Sequence, residues 1–122
     1  MESPFKGKTG VVRIWNAFHY SLDGLRAAFK HEDAFRQEVL LAIVLVPIAL
    51  FSARSGAEKA ALIASVLLVL IVELVNSAVE ATVDRISLEH HRLAKRAKDI
   101  GSASVLLTLL NLAVVWGFIF LS

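Results

Sequence analysis

The chain reads as an all-α integral membrane protein, with three transmembrane helices preceded by an N-terminal amphipathic interfacial helix. Three observations predict this. Of the 122 residues, 57% are hydrophobic and the mean hydropathy is +0.66, more apolar than a soluble domain of this length. The charged residues, 20% of the chain, crowd into 1–38, 54–59 and 73–99 and leave apolar blocks between them. No internal repeat or low-complexity tract interrupts the pattern, so a single membrane domain over 1–122 is expected. There is no cysteine, which excludes disulfides and thiolate metal sites. A net charge of +2 is too mild to argue for a nucleic-acid partner, and none is expected.

The first element is predicted over about 10–31, "GVVRIWNAFHYSLDGLRAAFKH". Val11, Ile14, Trp15, Phe18, Leu22, Leu25 and Phe29 recur at spacings of three and four, with Arg13, Asp23, Arg26 and Lys30 on much of the rest. That is the pattern of a helix lying in the membrane interface. The N-terminal "MESPFKGKTG" lacks the apolar core of a signal peptide, so the first membrane helix is expected to direct insertion.

The first span is predicted over about 34–52. Its apolar stretch "VLLAIVLVPIALF" is short of the ~20 residues a full crossing needs. Extension back through Ala34 and Phe35 makes up the length if Glu38 lies near the interface or faces protein. Pro47 kinks such a helix without preventing a crossing. The second span, about 58–84, starts as hydrocarbon and then acquires acids. The third, about 100–121, is "IGSASVLLTLLNLAVVWGFIFL", ending near Trp116 and Phe118 where aromatic anchors belong. Lys6, Lys8, Arg13, Arg26, Lys30 and Arg36 precede the first span. Arg85, Arg92, Lys95, Arg96 and Lys98 join the second and third. Only Arg54 and Lys59 lie between the first two. The positive-inside rule therefore places the N-terminus and the 85–99 connection in the cytoplasm.

The informative stretch is "VLLVLIVELVNSAVEATVDRI". At about 100° per residue, Glu73, Asn76, Glu80 and Asp84 share one face, with Ser77 close by. Each acid at a span centre costs roughly 2.5–3.5 kcal/mol on insertion scales, so this face turns to protein, water or a cation. One polar residue would read as a helix-packing hydrogen bond; three acids on one face read as a site. Glu73 lies ~20 Å of rise from Ala60, Glu80 ~10 Å further, and Asp84 borders the basic connection. The stripe thus runs from hydrocarbon to the cytoplasmic interface, which suits an enzyme joining a lipid to a water-soluble reagent. Carboxylates can hold Mg²⁺ together with substrate phosphates. A desolvated carboxylate can take a proton from a hydroxyl. Lys98 and Arg92 can neutralise phosphate oxygens. Together these are the parts of a phosphoryl-transfer site, although no P-loop or soluble-kinase signature is present.

The run "ELVNSAVEATVDRI" resembles the signature of the prokaryotic diacylglycerol kinases, small integral membrane lipid kinases. "GLRAAF", "EDAFRQE" and "RAKDIGSA" extend the resemblance over nearly the whole chain. It implies transfer of the γ-phosphoryl group of ATP, with Mg²⁺, to the hydroxyl of diacylglycerol, giving phosphatidic acid and ADP. It also implies a homotrimer in the bacterial inner membrane, with sites shared between protomers. By the same resemblance Glu73 matches the general base and Asn76 its polar neighbour. Glu32 and Glu80 match the carboxylates that hold metal and nucleotide. Arg13, Tyr20, Glu89, His90, His91, Lys98 and Asp99 match further ATP contacts. Ala17, Phe18, His19, Tyr20, Ser21, Leu22, Arg26, Ala34, Phe35, Arg36, Gln37, Glu38 and Ser102, with Glu73 itself, fall in stretches associated with the lipid. Read alone, Glu32 is an ordinary solvated acid and Lys98 a cytoplasmic loop charge.

Three other readings stay open. An undecaprenol kinase of the same family would reuse the same stripe. A small cation-coupled transporter would need intramembrane acids near the midplane instead. A purely structural membrane subunit would tolerate Glu73→Gln, whereas a kinase would lose its base.

Overall fold

The computed structural model describes residues 10–86 and 92–122. Four helices account for nearly all of them: α1 (Gly10–His31), α2 (Asp33–Phe51), α3 (Gly56–Ile86) and α4 (Arg92–Leu121). α2, α3 and α4 are each long and apolar enough to cross a membrane. The expected class therefore holds: an all-α membrane protein with three such helices and an amphipathic one before them. The chain divides into two units after Glu32.

In the first unit, α1 opens at Gly10 with a φ of +53°, a left-handed conformation that a side chain resists. Ile14, Trp15 and Phe18 are exposed along the helix. In a soluble protein such a face would be a liability; it has the character of a face that meets lipid. On the polar side Arg26 pairs with Asp23 at 3.2 Å, one turn apart. The Trp15 ring meets His19 edge-on at 4.6 Å between centroids.

In the second unit α3 packs on both α2 and α4. Val66 and Val69 of α3 and Leu112 of α4 are buried together, flanked by Leu41, Ala42, Leu45 and Val46 of α2 and by Trp116. The helix starts are legible in local chemistry. Ser55 and Glu58 form a reciprocal capping box ahead of α3, each backbone N–H donating to the other's side chain at 3.1 Å. Asp33 in the first turn of α2 suits the positive end of the helix dipole and pairs with Arg36. α2 passes through Pro47 without ending. At the far end of the pair α3–α4, the Trp116 indole N–H donates to Ser65 Oγ (3.1 Å) and to the Leu62 carbonyl (3.3 Å). Such bonds set helix register where lipid provides no hydrophobic drive.

α4 begins at Arg92, well before the apolar stretch at residue 100. "RLAKRAKD" is composed mostly of strong helix formers and carries a Lys95–Asp99 pair at i, i+4. The helix therefore continues past the hydrocarbon boundary as a charged extension.

Candidate active site

Glu73 and Asn76 are buried, at 5% and 6% exposure, and Glu80, one turn on, is half-buried. The stripe read from the sequence thus descends from the helix-packed interior to the open end of α3. Asn76 Nδ2 donates to Glu80 Oε1 at 3.0 Å, which orients one carboxylate oxygen and leaves the other for a ligand. Asp84 is exposed and pairs with Lys98 of α4 at 2.6 Å. This ion pair carries Lys98 to the α3 side of α4, where Glu80 also acts on it electrostatically. Asn76, Glu80, Asp84 and Lys98 therefore form one connected polar seam between α3 and α4, with Glu73 one turn before it on the same face of α3.

α2 contributes Glu38, which stands close enough to Glu73 for their charges to interact. Two side-chain atoms here are buried without a hydrogen-bond partner among the described residues: Glu38 Oε2 and Asn76 Oδ1. Buried polar atoms are normally satisfied, and unpaired ones concentrate where a substrate or ion is handled.

Gly101 is a site residue that the sequence reading did not single out. A Cβ there would collide with Asn76 Oδ1 and lie 3.1 Å from Asn76 Cγ. α4 thus approaches α3 closely at a position where it has no side chain, and the Asn76 amide fills the space. The available signal was a glycine inside a helical stretch, which marks close backbone approach.

Other expected residues lie elsewhere. Asp99 projects away from the α3 seam and accepts a hydrogen bond from Lys95 at 2.6 Å. Ser102 is exposed on α4. Ala34, Phe35, Arg36, Gln37 and Glu38 occupy the first two turns of α2; Phe35 is buried and Arg36 engages Asp33. Arg13, Ala17, Phe18, His19, Tyr20, Ser21, Leu22 and Arg26 belong to α1, and Glu32 ends that unit. Glu89, His90 and His91 lie outside the described residues. Among the described residues no group of three or more His, Asp or Glu side chains gathers as a metal cage.

Buried acid, oriented carboxylate and cation in sequence along one seam can accept a proton, present an oxygen to a hard cation and meet a phosphate. Comparison with known proteins points the same way. The family model for prokaryotic diacylglycerol kinase matches residues 19–120. A diacylglycerol kinase of Pseudomonas aeruginosa is 57% identical over 119 residues, covering 98% of this chain and 97% of its own. The diacylglycerol kinase of Haemophilus influenzae is 50% identical, covering 89% and 92%. That of Escherichia coli K12 is 48% identical, covering 88% of each. A match of this extent, spanning the acidic stripe and all three long helices, establishes that the chain belongs to the prokaryotic diacylglycerol kinase family.

Proposed function

We propose that this protein is a diacylglycerol kinase that moves the γ-phosphoryl group of MgATP to the free hydroxyl of diacylglycerol, giving phosphatidic acid and ADP. The observation that carries the reading is the Glu73–Asn76–Glu80 seam: a buried carboxylate at one end, an oriented half-exposed one at the other. Glu73 is the general base. It is buried, where water has little access and the hydroxyl of a membrane lipid is its natural partner. There it accepts the hydroxyl proton as the oxygen attacks phosphorus. Asn76 holds Glu80, and the Glu38 carboxyl flanks the base from α2.

The donor set suits Mg²⁺. This ion takes one or two protein carboxylates plus phosphate oxygens and keeps several waters, so it needs no cage of three protein ligands. Glu80 and Glu32 are the residues that would hold it. When bound, Mg²⁺ neutralises charge on the phosphate oxygens during transfer. Lys98 meets the nucleotide phosphates, its ammonium having donors to spare beyond Asp84. Arg13, Tyr20, Asp99 and the 89–91 segment complete the nucleotide contacts. The stretches of α1 and α2 from Ala17 to Leu22 and Ala34 to Glu38, with Arg26 and Ser102, bound the lipid.

The further reading is a homotrimer with sites shared between protomers, which accords with Asp99 projecting away from the seam of its own chain. The Lys and Arg distribution supports a cytoplasmic N-terminus in the bacterial inner membrane. Transfer of labelled phosphate from MgATP to dioctanoylglycerol in mixed micelles tests the reading. Mg²⁺-dependent label is expected, with Glu73→Gln losing at least a hundredfold in kcat. Label on undecaprenol alone would keep the chemistry and change the substrate. Folded protein labelling neither lipid would overturn the assignment.

A further inference from the structure

Glu73 is 5% exposed, so a lipid hydroxyl reaches it only if a helix packed on α3 moves. α4 is tied to α3 by polar bonds at both ends. Lys98 pairs with Asp84 at 2.6 Å near the start of α4, and the Trp116 indole N–H donates to Ser65 at 3.1 Å near its end. α2 is held differently. Its Leu41, Ala42, Leu45 and Val46 pack on Val66, Val69 and Leu112, contacts that apolar lipid tails replace at little cost. One turn before Leu41 stands Glu38, whose Oε2 is buried with no hydrogen-bond partner among the described residues. One turn after Val69 stands Glu73. The two carboxyls thus occupy the layer next to those apolar contacts, at the end of the α2–α3 seam where α2 begins.

The two ends of α2 are fixed unequally. Past Pro47, Ala49 is fully buried and its carbonyl accepts the Ser52 hydroxyl at 2.7 Å. Residues 52–55 then join α2 directly to α3. Among them Arg54 lies over the Phe120 ring at 5.1 Å, and Phe120 lies 5.4 Å from Trp116, the residue that bonds α4 to α3. Before Pro47, Phe35 is the one buried residue of α2. Pro47 separates these two parts. It has no N–H to offer the Ile43 carbonyl one turn back, and its ring crowds that carbonyl. Sharp helix bends concentrate at such points. Glu38 lies nine residues before Pro47, about 13 Å along the axis. A change of ~20° in the bend moves it by roughly 5 Å, more than the ~4 Å at which packed side chains touch.

We propose that Pro47 is a hinge and that residues 33–46 of α2 are a lateral gate, which swings from α3 and brings a membrane lipid to Glu73 directly from the hydrocarbon. The far end of the three-helix unit stays closed. That the lipid is diacylglycerol rests on the kinase reading above; the hinge rests on the packing.

The chain has no cysteine, so pairs of spin labels can be introduced directly. Leu40→Cys with Ile71→Cys reports the gate, and Leu50→Cys with Ala61→Cys reports the fixed end; all four positions are exposed. Labelled chains are diluted into unlabelled ones in lipid nanodiscs, so that distances within one chain are read. Dioctanoylglycerol should shift or broaden the first distance by roughly 5 Å, the sweep of the lever arm, and leave the second unchanged. Pro47→Ala, which restores the missing backbone bond, should suppress that change. It should also lower kcat/KM for dioctanoylglycerol about fivefold, the worth of one hydrogen bond, while KM for MgATP stays within about twofold. The distances need no turnover. Label movement without any lipid phosphorylation would therefore overturn the kinase reading and uphold the hinge. Equal movement at both ends, no movement at the first, or movement that survives Pro47→Ala would overturn the hinge. So would a Pro47→Ala loss that falls equally on MgATP.

Discussion

Replacing Gly101 with alanine adds a single methyl group where α4 lies against Asn76 of α3. The new Cβ would occupy the position of Asn76 Oδ1, with Asn76 Cγ only 3.1 Å away. One response is rotation of the Asn76 amide, which breaks its 3.0 Å bond to Glu80. A hydrogen bond to a charged group is worth about 1.5–3 kcal/mol. The other response is separation of the helices, at about 1–3 kcal/mol for overpacking. Against either stands the ~1 kcal/mol by which alanine is a better helix former than glycine. Net destabilisation should therefore be small, about 0–2 kcal/mol, because the gain and the loss oppose each other. Activity has no such offset. If Asn76 must hold Glu80, losing about 1.5–3 kcal/mol in the transition state lowers turnover roughly 10- to 100-fold. The assay is kcat and KM for MgATP in mixed micelles, beside thermal inactivation of the same preparations. Gly117→Ala is the control, since a Cβ there meets nothing within 4 Å. Gly101→Ala with activity within twofold of the parent would refute the claim that this approach positions Asn76.

Three further outcomes are expected. Lys98→Gln should raise KM for MgATP at least tenfold through loss of a phosphate partner, whereas Asp84→Asn should leave thermal stability nearly unchanged, because both members of that ion pair are exposed. Trp116→Phe should lower the inactivation temperature through loss of its bonds to Ser65 and Leu62, worth about 1 kcal/mol. Its kcat should hold, since Ser65 lies ~12 Å along α3 from Glu73.

The primary sequence by itself determined the class of the protein and the line of the candidate site. Length, apolar blocks and the placement of Lys and Arg specify three crossing helices, because burying helical backbone in hydrocarbon is the only way to satisfy it within one segment. The 3.6-residue period alone puts Glu73, Asn76, Glu80 and Asp84 on one face, and that face is buried at its start and exposed at its end. Helix extent was less legible at α4: a charged run that reads as a connection is helical from Arg92, since helix formers persist beyond the membrane boundary. What sequence periodicity cannot encode is which neighbour a face meets. Only the packing of α2, α3 and α4 brought Glu38 towards Glu73, paired Lys98 with Asp84, and sent Asp99 to the far side of α4. Only packing, too, gave Gly101 its part, because the meaning of an absent side chain depends on the atom from another helix that takes its place.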